Sequence, residues 1–226
     1  MEQFFFRISI MLVPALLAIT CHEVSHGFVA NRFGDPTARM LGRLTLNPLK
    51  HLDVFGTLMV FIIGIGWAKP VPVDFRNLRN PKRDMIWVAA AGPITNFLLA
   101  TASALLLRLA VSTSEWTSTI PLAHAVTEPV ILMLAFSVYV NLLLCIFNLI
   151  PLPPLDGGRV AVGLLPHGPA AALARVEPYG MILIIVLVFF TDVFSYIMLP
   201  LLRAGVLLLA GPYSQIVFGV NSLLMR

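Results

Sequence analysis

Residues 4–33 read FFFRISIMLVPALLAITCHEVSHGFVANRF, and this stretch decides the fold class. Crossing about 30 Å of hydrocarbon takes about 20 mostly apolar residues in a helix. Phe4–Phe33 meets that length, yet it carries His22, Glu23 and His26 inside the apolar run. The rest of the chain follows the same pattern. Apolar residues make up 58% of the 226 residues and charged residues 12%, against about 25% charged in a soluble domain. Mean hydropathy is +0.91. A chain so poor in charge cannot cover its own surface in water, whereas lipid needs no such cover.

Two further segments qualify as spans, Asp84–Ala110 and Glu128–Ile150. Pro178–Leu209 is too long for one, and Asp192 and Pro200 split it into two helices meeting near Thr191–Ser195. Val54–Trp67 is short for a straight crossing and rich in glycine and β-branched residues, including Gly64 and Ile65. Arg32, Arg39, Arg43 and Lys50 precede it; Lys69, Arg76, Arg79, Lys82 and Arg83 follow. Lys and Arg gather in cytoplasmic loops. A crossing would put these basic stretches on opposite sides, so a re-entrant reading is preferred. Val111–Thr127 has no Lys or Arg, as an external loop should.

The expected fold is an all-α polytopic membrane protein. It has about five to six transmembrane helices and a short re-entrant or β-like element between the first and second. One integral-membrane domain is expected over 1–226, with a catalytic core at about 4–165 and a C-terminal helical pair at about 176–211. The expected setting is the cell membrane, multi-pass, with the site toward the cytoplasm. No basic run points to nucleic acid, and no removable signal peptide is expected. Cys21 and Cys145 lie in apolar runs and read as small buried hydrophobes.

His22-Glu23-Val24-Ser25-His26 is an H-E-x-x-H sequence. Residues four apart share a helix face, so both imidazoles can reach one zinc ion. Glu23, beside the first ligand, can take a proton from water as general base. A catalytic zinc takes three protein ligands, so a third must come from elsewhere. Asn148-Leu-Ile-Pro-Leu-Pro-Pro-Leu-Asp156-Gly157-Gly158 breaks the third span with prolines and glycines. Broken backbone at membrane depth survives where protein or a wet cavity covers it. Asp156 at this break reads as the third ligand or as the N-cap of a helix starting near Gly157.

His22-Glu23-x-x-His26, Gly92-Pro93-x-x-Asn96 and Asn148-x-x-Pro151-x-Pro153-x-Leu155-Asp156-Gly157 together resemble the signature elements of the site-2 protease family. Gly66–Val73 and Asn47–His51 resemble further stretches of it. The resemblance runs from about Ile19 to Arg159, in order. It implies an intramembrane zinc metalloprotease that cuts a transmembrane protein or peptide in the lipid bilayer. His22, His26 and Asp156 match the ligands of one zinc ion, and Glu23 the base. Asn148 matches a residue that binds substrate or the oxyanion; it also reads as a helix end satisfying its own carbonyls. A short form is expected, without an inserted PDZ domain or a C-terminal regulatory domain.

Asn96 reads as a bond across the site or, preferably, as a structural interhelical bond. His51 reads as a substrate contact or, preferably, an interfacial side chain. Asp192 reads as a turn residue, and His124 and His167 show no ligand spacing. A metal transporter should show inverted repeats, and the sequence has none. An inactive scaffold would not need all four of His22, Glu23, His26 and Asp156.

Overall fold

A computed structural model describes residues 2–63, 66–117 and 121–224. Ten α-helices are found there: α1 (Glu2–Phe33), α2 (Thr37–Met40), α3 (Val54–Ile63), α4 (Pro81–Thr117), α5 (Pro121–Asn148), α6 (Asp156–Leu164), α7 (His167–Ala174), α8 (Glu177–Phe189), α9 (Val193–Ala210) and α10 (Ser214–Leu224). No strand occurs among the described residues; one isolated bridge joins Leu52 to Ala68.

The long helices have legible starts. Pro81 opens α4, where a missing N–H costs nothing. The Asp84 carboxylate reaches back to accept the Asn80 N–H at 2.8 Å, satisfying a donor the helix leaves free. Four stretches are long and apolar enough to cross a membrane: Phe5–Phe33, Pro81–Ser114, Ala125–Asn148 and Ser195–Val220. The pair α7 and α8, bent by 66°, makes a fifth if counted as one broken span. Large apolar side chains such as Phe28, Leu98 and Leu208 face outward. The chain is a multi-pass membrane protein.

The described residues give four candidate spans, or five with the bent pair, against the expected five to six. The last long segment does divide at its Asp, with α8 ending at Phe189 and α9 starting at Val193, while Pro200 lies inside α9. Asp192 lies in this break, exposed, and its carbonyl accepts the Tyr196 N–H at 2.9 Å. The expected external loop contracts because α4 and α5 extend into it; residues 118–120 of it lie outside the described residues.

The β-like form of the expected element is overturned, and its re-entry is not supported. Val54–Ile63 is helix α3; residues 64 and 65 lie outside the described residues. At about 1.5 Å per residue, its 10 residues rise about 15 Å, too little to span. The β-branched content misled because strand propensity follows context more than identity. The overlooked signal is Asp53. Its Oδ1 accepts the Gly56 N–H at 2.7 Å, a helix-start bond.

By internal contacts the chain forms two compact units. One comprises Met1–Ala18, Asn96–Ile146 and Asp192–Arg226. Its core sets Ile10 of α1 among Leu107, Val138, Leu142, Val206 and Val217. Through this core runs a buried polar chain. Asn96 Nδ2 donates to Asn141 Oδ1 at 2.9 Å and to the Ala18 carbonyl at 3.3 Å. Asn141 Nδ2 donates to the Ser137 carbonyl, and the Ser137 and Ser103 hydroxyls pair at 2.8 Å. Asn96 thus ties α1, α4 and α5 together.

Interhelical polar bonds of this kind average about 0.6 kcal/mol and reach about 1.7 in membrane proteins. Asn96→Ala is therefore expected to lower stability by about 1 kcal/mol with zinc content intact. Denaturant titration with metal analysis checks this; loss of zinc would instead give Asn96 a part in the site.

The second unit comprises Ile19–Thr95 and Phe147–Thr191. It holds the later part of α1, the start of α4, helices α2, α3 and α6–α8, and all the candidate site residues. A small apolar cluster of Ala30, Leu78 and Val88, with Val29, Phe33, Val73 and Phe75 against it, packs residues 73–78 onto α1 and α4.

Candidate metal centre

Helix α1 places His22 and His26 one turn apart with ring centroids 4.7 Å apart, the rings edge to face at 82°. Helix α4 orients the second. The Val88 carbonyl lies 2.7 Å from His26 Nδ1. A carbonyl only accepts, so Nδ1 carries the proton there, and Nε2 can offer its lone pair to a metal.

The third group arrives on the broken segment. After α5 ends at Asn148 the chain turns through Pro151–Leu155, and α6 begins at Asp156. The fold-back is tight. A Cβ on Gly157 would lie 2.3 Å from the Leu149 carbonyl oxygen, and one on Gly158 2.2 Å from the Pro153 nitrogen. Only glycine permits that approach. The N-cap of α6 is Leu155, without a side-chain cap, and Asp156 is the first helical residue. The capping reading of Asp156 is thereby corrected: its carboxylate turns to the imidazoles instead.

Asp156 Oδ2 lies 3.1 Å from His22 Nε2 and 3.3 Å from His26 Nε2. One ligand atom from each of the three side chains falls within 4.8 Å of the others. His22 and Asp156 are buried, and Oδ2 has no hydrogen-bond partner. A buried anionic oxygen facing ring nitrogens is costly unless positive charge lies between them. The donor set fits zinc. Ligand atoms about 2.0–2.1 Å from one ion at tetrahedral angles stand about 3.3 Å apart.

The family model for peptidase family M50 matches residues 10–191. The chain belongs to peptidase family M50. Three relatives of this M50 peptidase agree. The "Putative zinc metalloprotease YwhC" of Bacillus subtilis (strain 168) is 39% identical, covering 91% of this chain and 93% of that protein. The "Putative zinc metalloprotease Rip2" of Mycolicibacterium smegmatis is 33% identical, over 76% of this chain and 63% of that protein. Its namesake from Mycobacterium tuberculosis (strain H37Rv) is 31% identical, over 79% and 66%. No solved structure matches the chain. The M50 peptidase is thus a zinc metalloprotease of the site-2 protease family.

The other expected residues are placed as follows. Glu23 Oε2 accepts the Val71 N–H at 2.8 Å. Asn148 is the half-buried last residue of α5. His51 is neither interfacial nor exposed: it is 1% exposed, with Nε2 2.8 Å from the Thr45 carbonyl. It joins two loops instead, since its own carbonyl accepts the Lys69 N–H at 2.8 Å.

Sequence reasoning missed one contributor to this M50 site. Val88 acts through its carbonyl, which no side-chain pattern reveals. The small residues Ala89-Ala90-Ala91-Gly92 are expected from sequence to let this helix pack tightly on the helix of His22 and His26, and a Cβ on Gly92 would stand 2.5 Å from His22 Cε1 and His26 Nε2. The absent side chain is what lets α4 lie against both imidazoles.

Proposed function

We propose that this M50 peptidase hydrolyses peptide bonds within or next to transmembrane segments of membrane-protein substrates. In this reading His22, His26 and Asp156 hold one zinc ion. Glu23 is the general base, Asn148 a donor to the developing oxyanion, and the site faces the cytoplasm. The observation that carries it is the single carboxylate oxygen of Asp156 set against the Nε2 atoms of both histidines.

When bound there, zinc acidifies a water and polarises the scissile carbonyl. The chain's own residues do the rest. Val88 holds His26 in the tautomer that serves a metal. The Val71 N–H fixes one oxygen of the Glu23 carboxylate. Glu23 takes a proton as water oxygen attacks the carbonyl carbon, and delivers it to the amine as the C–N bond breaks. An Asn148 amide directed at the carbonyl oxygen stabilises the charge that gathers there. The membrane setting supports a membrane substrate, because His22 and His26 lie on α1, itself a stretch long and apolar enough to cross a membrane. Arg32, Arg39, Arg43, Lys50, Lys69, Arg76, Arg79, Lys82 and Arg83 support the cytoplasmic orientation.

The test is reconstitution in proteoliposomes with a synthetic transmembrane peptide carrying a quenched fluorophore pair. Removing metal with 1,10-phenanthroline should reduce cleavage to background, and one equivalent of zinc should restore it. Cleavage by metal-free protein at the original rate would end this reading.

A further inference from the structure

Asp35 lies just past α1 and is fully buried. Four donors converge on its carboxylate. The Thr37 N–H reaches Oδ1 at 3.1 Å, and the Thr37 hydroxyl reaches the same oxygen. These two bonds close a local turn. The other two come from far along the chain. Asn77 Nδ2 donates to Oδ1 at 3.1 Å and the Asp74 N–H to Oδ2 at 2.8 Å. Burial pushes the carboxyl pKa up, but the bonds from Thr37, Asn77 and Asp74 outweigh it and hold it below the ordinary value.

Residues 71–79 form a strap over the second half of α1. Asp35 holds it at Asp74 and Asn77, and the Phe33 carbonyl accepts the Arg79 N–H at 3.0 Å. At its leading end the Val71 N–H meets Glu23. The three steps between Val71 and Asp74 are stiff. Pro72 has a fixed φ, which removes a soft backbone torsion between them. A displacement at Asp74 is therefore passed to Val71 rather than absorbed.

We propose that Asp35 is a positioning residue for Glu23: by gripping Asp74 and Asn77 it sets the strap so that the Val71 N–H orients the base. This rests on Glu23 being the base. Asp35 touches neither substrate nor metal ligand; it acts through the strap.

Asp35→Asn is the near-isosteric test. If the new amide keeps its oxygen toward Thr37 and Asn77, its NH2 meets the Asp74 N–H donor to donor. If it flips, the Thr37 and Asn77 bonds are lost. Two readouts are taken on the full chain in lipid nanodiscs. Hydrogen exchange at the Val71 amide should accelerate about tenfold or more, while helix α4 stays protected and zinc content is unchanged. With the quenched transmembrane peptide, kcat should fall about 10- to 100-fold with KM held within about twofold. Arg76→Ala, which removes only an exposed ion pair from the same strap, should leave both at wild type. If Asp35→Asn does not fold, Asn77→Ala cuts one strap bond and keeps the local turn, and should move both readouts the same way by less. Unchanged Val71 protection overturns the proposal, as does a freed Val71 amide with unchanged kcat. Glu23→Gln separates the two readings: cleavage surviving that change removes Glu23 as base, whereas the exchange at Val71 still reports what Asp35 holds.

Discussion

Glu23→Gln is expected to keep one zinc per chain and to lose peptide cleavage by about 10²–10⁴-fold, the usual contribution of a general base. The substitution is selective. Glutamine has nearly the same shape and still offers an amide oxygen, so it can keep the bond from the Val71 N–H at 2.8 Å. It leaves His22, His26 and Asp156 untouched, so metal content should not change. What it removes is a carboxylate able to take a proton from water. Metal analysis beside kcat on the quenched transmembrane peptide checks both halves. A variant that binds zinc and still cleaves at the wild-type rate would assign the proton to another group. A variant that loses zinc would show that Glu23 supports the ligands instead.

Gly92→Ala should weaken zinc binding by about 10- to 100-fold, the range seen when a group that supports metal ligands is lost. No ligand is altered, which makes the prediction specific. The added methyl would stand 2.5–2.6 Å from His22 Cε1, His22 Nε2 and His26 Nε2. To relieve the clash either α4 must retreat or the rings must turn. Retreat lengthens the 2.7 Å contact between His26 Nδ1 and the Val88 carbonyl. Ring rotation draws Nε2 away from Asp156. Both spoil the same site. Competition with a zinc chelator of known affinity measures the shift. Wild-type affinity in Gly92→Ala would mean that α4 does not press on the imidazoles as described.

Much of this was legible without coordinates, for physical reasons that differ by element. Phe4–Phe33 declares its helix because hydrocarbon accepts no unpaired backbone, so length and apolarity together leave few choices. The break between α8 and α9 shows in Asp192, since a charge near the middle of an apolar run is expensive. Val54–Ile63 was misread because its β-branched residues carry a weak, context-bound preference. The Asp53 bond that starts α3 is a single short-range contact. Asp156 reads as a zinc ligand that could also cap a helix, because its local sequence suits both roles. The imidazoles that separate them are more than a hundred residues away in the chain.

By itself the amino-acid sequence determined the lipid setting, the helical class and the pairing of His22 with His26, because these follow from composition and helical period. Tertiary structure alone decided that Asp156 meets both rings, that Val88 sets the tautomer of His26, that Gly92 makes room, that the Val71 N–H meets Glu23, and that Asp35 holds Asp74 and Asn77. Those contacts join backbone atoms and side chains across long separations. Their partners are chosen by how the chain packs, and a linear pattern does not record packing.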